Sequence, residues 1–181
     1  MINLDRLLAP WVFVLTGIVF NILSAVITHY FIGLNTDEIN RIDSEIAGKQ
    51  VFIDSQWQSR VEVERKKEFF VLLFATPNAD LEAGEIIYRD YLRELINVHG
   101  LEDFQARLER DDEPRVPLLL DVSNAALQAI IASINSTYFE TLELRDTRMP
   151  LERANSRLYS IAIFLQLVGL ILVLARDLRR S

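Results

Sequence analysis

A chain of 181 residues that is 50% hydrophobic and 25% charged, with a net charge of −7, has room for one ordinary domain beside its apolar segments. The absence of cysteine excludes disulfides, thiolate nucleophiles, Cys-ligated zinc, iron–sulfur clusters and covalently attached haem. The acidic balance argues against nucleic-acid binding, for which a basic patch would be expected.

Charge is segregated along the chain. From Leu7 to Thr36 there is no Asp, Glu, Lys or Arg, and from Leu158 to Ala175 there is none either. Each stretch is long enough to cross a hydrocarbon core of about 30 Å, which takes about 20 helical residues. Asp5, Arg6, Arg176, Asp177, Arg179 and Arg180 give the tails a net charge of +2, which leaves −9 for the middle. The predicted organisation is a short N-terminal tail (1–7), a first transmembrane helix (8–33), a water-exposed helical domain (34–157), a second transmembrane helix (158–175) and a basic C-terminal tail (176–181). The fold class expected is all-α: two transmembrane helices in a hairpin bracketing an antiparallel helical-bundle domain.

In the first segment the apolar run exceeds the 7–15 residues of a signal-peptide core, and no small-residue cleavage site follows promptly, so an uncleaved signal anchor is expected. Pro10 suits a first helical turn, and Trp11 and Tyr30 match the aromatic belts of the two interfaces. Asn21 lies halfway along, sharing a helix face with Gly17, Ala25 and Thr28 or His29.

Asn35 or Thr36 is then expected to cap a new helix beginning at Asp37. Ile39, Ile42, Ile46, Ile53 and Trp57 recur at helical spacing, with a gap at Gly48–Lys49. The run Phe69–Phe74 predicts a buried turn, stopped by Pro77. Asn78 is a candidate cap for a helix that places Leu81, Tyr88, Tyr91, Leu92 and Leu95 on one face and ends at Gly100. A short amphipathic piece with Leu101, Phe104 and Leu108 follows, and 110–117, with two prolines, is the expected linker. A long helix near Leu118 carries Leu127, Ile130, Ile131, Ile134, Tyr138 and Leu142 as its stripe. A break is expected at Met149–Pro150, with a last helix running into the second apolar segment.

In that segment Gln166 is the midpoint amide, with Ala162, Gly169 and Val173 on its face. Small residues allow close helix approach and amides bridge across it, so Gly17, Asn21, Ala25, Ala162, Gln166 and Gly169 are the expected helix–helix seam.

Motifs for chemistry are missing. His29 and His99 lack a ligand at i+4, Asp111–Asp112–Glu113 lacks the alternating ligands and glycine of a calcium loop, and no phosphate-binding glycine loop or nucleophile elbow occurs. No cofactor, metal or catalytic residue is expected, and the Asn135 sequon sits inside a helical pattern. The plan resembles the membrane-anchored helical sensor modules of chemoreceptors and histidine kinases, in architecture alone. Unlike them, this chain has only a few residues after the second apolar segment, so a signal is expected to pass sideways to a membrane partner. The expected function is that of a non-enzymatic integral membrane protein of the cell (inner) membrane. Its extracytoplasmic domain senses or binds a partner, and both termini are cytoplasmic. The alternative is a homo-oligomeric pore or channel accessory using the Asn21 and Gln166 faces. The expected partners are the lipid bilayer and another membrane protein or further copies of the chain.

Overall fold

The computed structural model describes residues 10–76, 81–110 and 112–178, and every regular element among them is helical. Helix α1 spans Pro10–Val26 and passes through a π-helical segment, Ile27–Ile32, directly into α2, Gly33–Ala75. Helix α3 is Leu81–His99. A 3₁₀ turn at Glu102–Phe104 leads to α4, Gln105–Leu108, and α5 runs over Arg115–Leu178. The expected cap at Asn78 and the stop at Pro77 lie outside the described residues.

Two expected helix boundaries do not occur. Asn35 and Thr36 lie mid-helix, so the amides they were to cap are already paired four residues back, and their side chains are used elsewhere. The Thr36 hydroxyl donates to the Ile32 carbonyl at 2.7 Å, and Asn35 bonds Asn155. Nor does Pro150 break α5. A proline orphans the carbonyl four residues earlier. Here that residue is Asp146, which is exposed, so water can take the missing bond. Gly48 and Lys49 leave the helix uninterrupted as well. The linker is shorter than 110–117, because Pro117 falls in the first turn of α5, where no intrahelical N–H donor is needed.

The chain divides into two compact units: Met1–Ile46 with Glu143–Ser181, and Ala47–Leu142. The expected domain, 34–157, is wider than the second of these. Helices α2 and α5 each contribute to both.

The second unit has one apolar core. Ile53, Val63 and Phe70 of α2 pack with Tyr88, Tyr91, Leu92, Leu95 and Ile96 of α3, with Leu108, and with Leu118, Leu119, Val122, Ala126, Ile130 and Ile134 of α5. The rings interlock: Phe70 stacks on Tyr91 at 5.3 Å and meets Tyr88 edge-on at 5.8 Å. Both phenols are satisfied, Tyr88 donating to the Arg115 carbonyl at 2.9 Å and Tyr91 to the Val63 carbonyl at 3.3 Å. Burial pushes both phenols up to about 12.

Several side chains expected in this core are outside it. Trp57, Phe69, Leu72 and Tyr138 are exposed. Along α2 the inward positions Ile53, Gln56, Arg60, Val63, Lys67, Phe70 and Phe74 repeat every three or four residues, which leaves Trp57 one position past the inward face. On α5 Thr141 is buried instead of Tyr138, its hydroxyl returned to the Thr137 carbonyl at 2.9 Å. A run of six apolar residues on one helix must point in every direction, so with Phe70 inward Leu72 emerges on the far side and Phe69 about 100° round from Phe70.

Gly100 ends α3 as its position suggests. It has φ of +64°, and the Leu101 N–H reaches back to the Ile96 carbonyl at 2.9 Å, closing a Schellman turn.

Candidate functional site

The first unit contains the seam where α1 and the start of α2 meet the C-terminal part of α5. The closest approach joins Gly17 and Gly169. A methyl group on Gly17 would lie 2.5 Å from the Gly169 carbonyl oxygen, and one on Gly169 would lie 2.7 Å from that of Gly17. Only glycine allows two backbones so near. The Asn21 amide lies over the same point, 3.1 Å from where a Gly169 methyl would stand.

From there the contacts change character in steps. Ser24, itself buried, donates to the Ala162 carbonyl at 2.8 Å. Ile32 is buried beyond it. The Asn35 side-chain amide then donates to Asn155 Oδ1 at 2.9 Å, while Asn155 Nδ2 donates to the Thr36 hydroxyl at 3.4 Å. Farther on, Arg148 pairs with Asp43 at 2.9 Å and with Glu152 at 3.0 Å. Rising numbers on one side meet falling numbers on the other. The order is backbone on backbone, hydroxyl to carbonyl, amide to amide, then ion to ion. Each step tolerates a wetter surrounding than the last.

The structure brings Gly17, Asn21, Ala162 and Gly169 into this seam. It leaves Ala25 and Gln166 outside, both exposed. The geometry explains the difference. Positions 148, 155, 162 and 169 of α5 are seven apart, the repeat of a helix whose one stripe follows a partner. Gln166, four residues from Ala162 and three from Gly169, lies about 40° and about 60° round from them, at the edge of that stripe, where it is exposed. On the other side the buried positions Gly17 and Ser24 are seven apart, but Ser24 and Ile32 are eight apart. The π-helical segment accommodates the extra residue, and the stripe resumes at Asn35, Ile39 and Ile42.

Sequence reasoning missed Ser24, Asn35, Asn155 and the Asp43–Arg148 pair. A signal for them was present. Leu144, Leu151, Leu158, Leu165 and Leu172 form an unbroken seven-residue leucine repeat, and all five are half-buried. It runs from charged sequence into the apolar stretch, and residues 148, 155, 162 and 169 are its companion row.

Of the two histidines, His29 is exposed in the π-helical segment. His99 is half-buried at the end of α3, beside a small cavity lined in part by Glu62, Lys66 and Glu94, and burial lowers its pKa. Glu113 of the acidic cluster is held by Arg107 at 2.6 Å, and Arg107 also reaches Asp121 at 3.0 Å. No cluster of metal-ligating side chains occurs among the described residues.

The two apolar stretches are barely covered by protein. The helical runs Trp11–Ala75 and Arg115–Ala175 are long and apolar enough to cross a membrane, and only 11% of the apolar stretch of each is buried. Trp11, Leu15, Ile18, Val19, Ile22, Leu23 and Val26 are exposed on one side. Ile161, Ile163, Phe164, Leu167, Leu170, Ile171 and Leu174 are exposed on the other. No known protein family, curated protein or solved structure matches the chain.

Proposed function

We propose that this chain is a two-span integral membrane protein, a transmembrane hairpin that holds a helical-bundle domain in water, and that the domain senses or binds a partner. The observation that carries the membrane half is the bare apolar surface of two stretches with 11% burial each. Exposed apolar area on that scale needs a nonpolar surrounding. The graded seam supports the same reading. Its uncharged end lies between the most apolar residues, and its ion pair of Asp43 and Arg148 lies where charged residues resume.

The functional half rests on the domain. Its core is well packed, and its described charged groups pair both along one helix, as Arg60 with Glu64, and between helices, as Arg115 with Glu85. A module anchored at both ends passes information by small movements of its two spans against each other or against a neighbour. The Gly17–Gly169 contact is where the two stretches meet most closely, so movement of one is felt by the other there. A pore lined by both amides finds little support, since Asn21 packs on Gly169 whereas Gln166 points elsewhere.

Basic residues flank the apolar stretches on both sides, Arg6, Arg176, Arg179 and Arg180 on one and Arg41, Lys49, Arg145, Arg148, Arg153 and Arg157 on the other. A long loop crosses the membrane largely regardless of its charge, which supports an extracytoplasmic acidic domain. The parent chain has no cysteine, so single-cysteine variants test this directly. In intact cells an impermeant maleimide is expected to label Asp112→Cys and to spare Ser181→Cys. Labelling of Ser181→Cys alone would place the domain in the cytosol and end the extracytoplasmic reading.

A further inference from the structure

Several polar side chains of the apolar stretches have a hydrogen bond within the chain. Ser24 bonds across the seam, and the Ser160 hydroxyl returns to the Ser156 carbonyl at 3.0 Å, while Asn21 is half-buried against Gly169. Gln166 is the one exposed amide among the described residues of these stretches. It stands about eight residues from either end of 158–175, roughly 12 Å at 1.5 Å per residue, too deep to reach interfacial water. Its amide carries two donors and a two-lone-pair acceptor, and leaving such a group in hydrocarbon is strongly unfavourable.

The residues around it form a stripe. Tyr159, Ile163, Gln166 and Leu170 follow one another at intervals of four, three and four and are all exposed. At about 100° per residue the stripe is centred about 70° from the row 155, 162 and 169, with Gln166, about 40° from Ala162, on its near edge. The stripe thus borders the intramolecular seam, and it has the spacing of a second helix-packing surface.

We propose that this stripe is a homodimer interface, in which Gln166 of one copy pairs with Gln166 of a second. The choice of a second copy follows from depth and chemistry. The bilayer holds every copy at the same level, so in a parallel pair related by a two-fold axis each stripe residue meets its own counterpart. An amide is self-complementary, donating and accepting at once, so two glutamines satisfy one another where a glutamate or lysine pair would repel. Ile163 and Leu170 flank the pair and exclude lipid from it. This inference rests on the membrane reading above.

The test uses the full-length protein reconstituted in phosphatidylcholine vesicles, with vesicle flotation as a separate first measurement. Failure to float removes the membrane reading itself. With the protein afloat, oxidation of Ile163→Cys and Leu170→Cys is expected to give disulfide-linked dimers, and oxidation of Phe164→Cys and Ile171→Cys to give few. Gln166→Leu should weaken association about tenfold, measured by energy transfer on dilution into excess lipid, and Gln166→Asn should restore part of the loss. Equal cross-linking at all four positions would overturn the proposal. So would a monomer unaffected by Gln166→Leu, or a native-membrane cross-link from 163 to a different protein only.

Discussion

Gly17 and Gly169 face each other across the seam so closely that each occupies the space a methyl on the other would need, at 2.5 Å and 2.7 Å from carbonyl oxygens. A contact of this kind has no flexible side chain to yield. Any added carbon must move a helix.

Gly17→Ala or Gly169→Ala is therefore expected to lower stability in detergent by about 1–3 kcal/mol, the usual range for overpacking. Gly48 is the internal contrast. It lies mid-helix with nothing within 4 Å of where a methyl would stand, so Gly48→Ala should raise stability by about 1 kcal/mol through helix propensity alone. Denaturation followed by circular dichroism in one detergent separates the two signs. The seam assignment fails if all three substitutions behave alike.

The Asn35–Asn155 bond spans 120 positions in the sequence and involves a second donor bond to Thr36. A double-mutant cycle with Asn35→Ala and Asn155→Ala should show coupling of about 0.5–1.5 kcal/mol. Purely additive losses would mean that the amides act separately.

Tyr88 and Tyr91 titrate at about 12 because burial disfavours the phenolate, against an ordinary value of 10.0. The folded value is raised, so the stability linked to these groups is complete below pH 10 and is lost as pH rises toward 12. Ultraviolet titration of the folded protein should leave Tyr88 and Tyr91 un-ionised at pH 11. Tyr88→Phe and Tyr91→Phe should each remove one such late step.

His99 runs the other way. Burial lowers its pKa from the ordinary 6.5, so the fold favours the neutral imidazole. Its contribution is complete above pH 6.5 and is lost as pH falls below it, because the unfolded chain binds the proton more readily. Unfolding midpoints should decline from pH 7.5 to 5.5 in the parent protein, and less steeply in His99→Gln. Parallel slopes for the two proteins would count against this assignment.

Much of the local structure was legible in order along the chain. Gly100 announced the end of α3, and the spacing of Tyr88, Tyr91, Leu92 and Leu95 marked the buried face of that helix. Asn35, Thr36 and Pro150 misled, because capping and helix-breaking preferences are worth only one to a few kcal/mol. A helix packed along its whole length against a partner overrides them.

By itself the sequence determined that the chain is helical and that two of its stretches are long and apolar enough to cross a membrane. Those properties are sums over many neighbouring residues and survive errors at any one of them. Which residues meet was decided only in the tertiary structure. Asn21 and Gln166 are chemically alike and equally central, yet one lies on Gly169 and the other faces outward. The difference comes from the rotational setting of two helices about their shared seam. The seven-residue row of α5 and the extra residue in the π-helical segment set that rotation together, and neither helix specifies it alone.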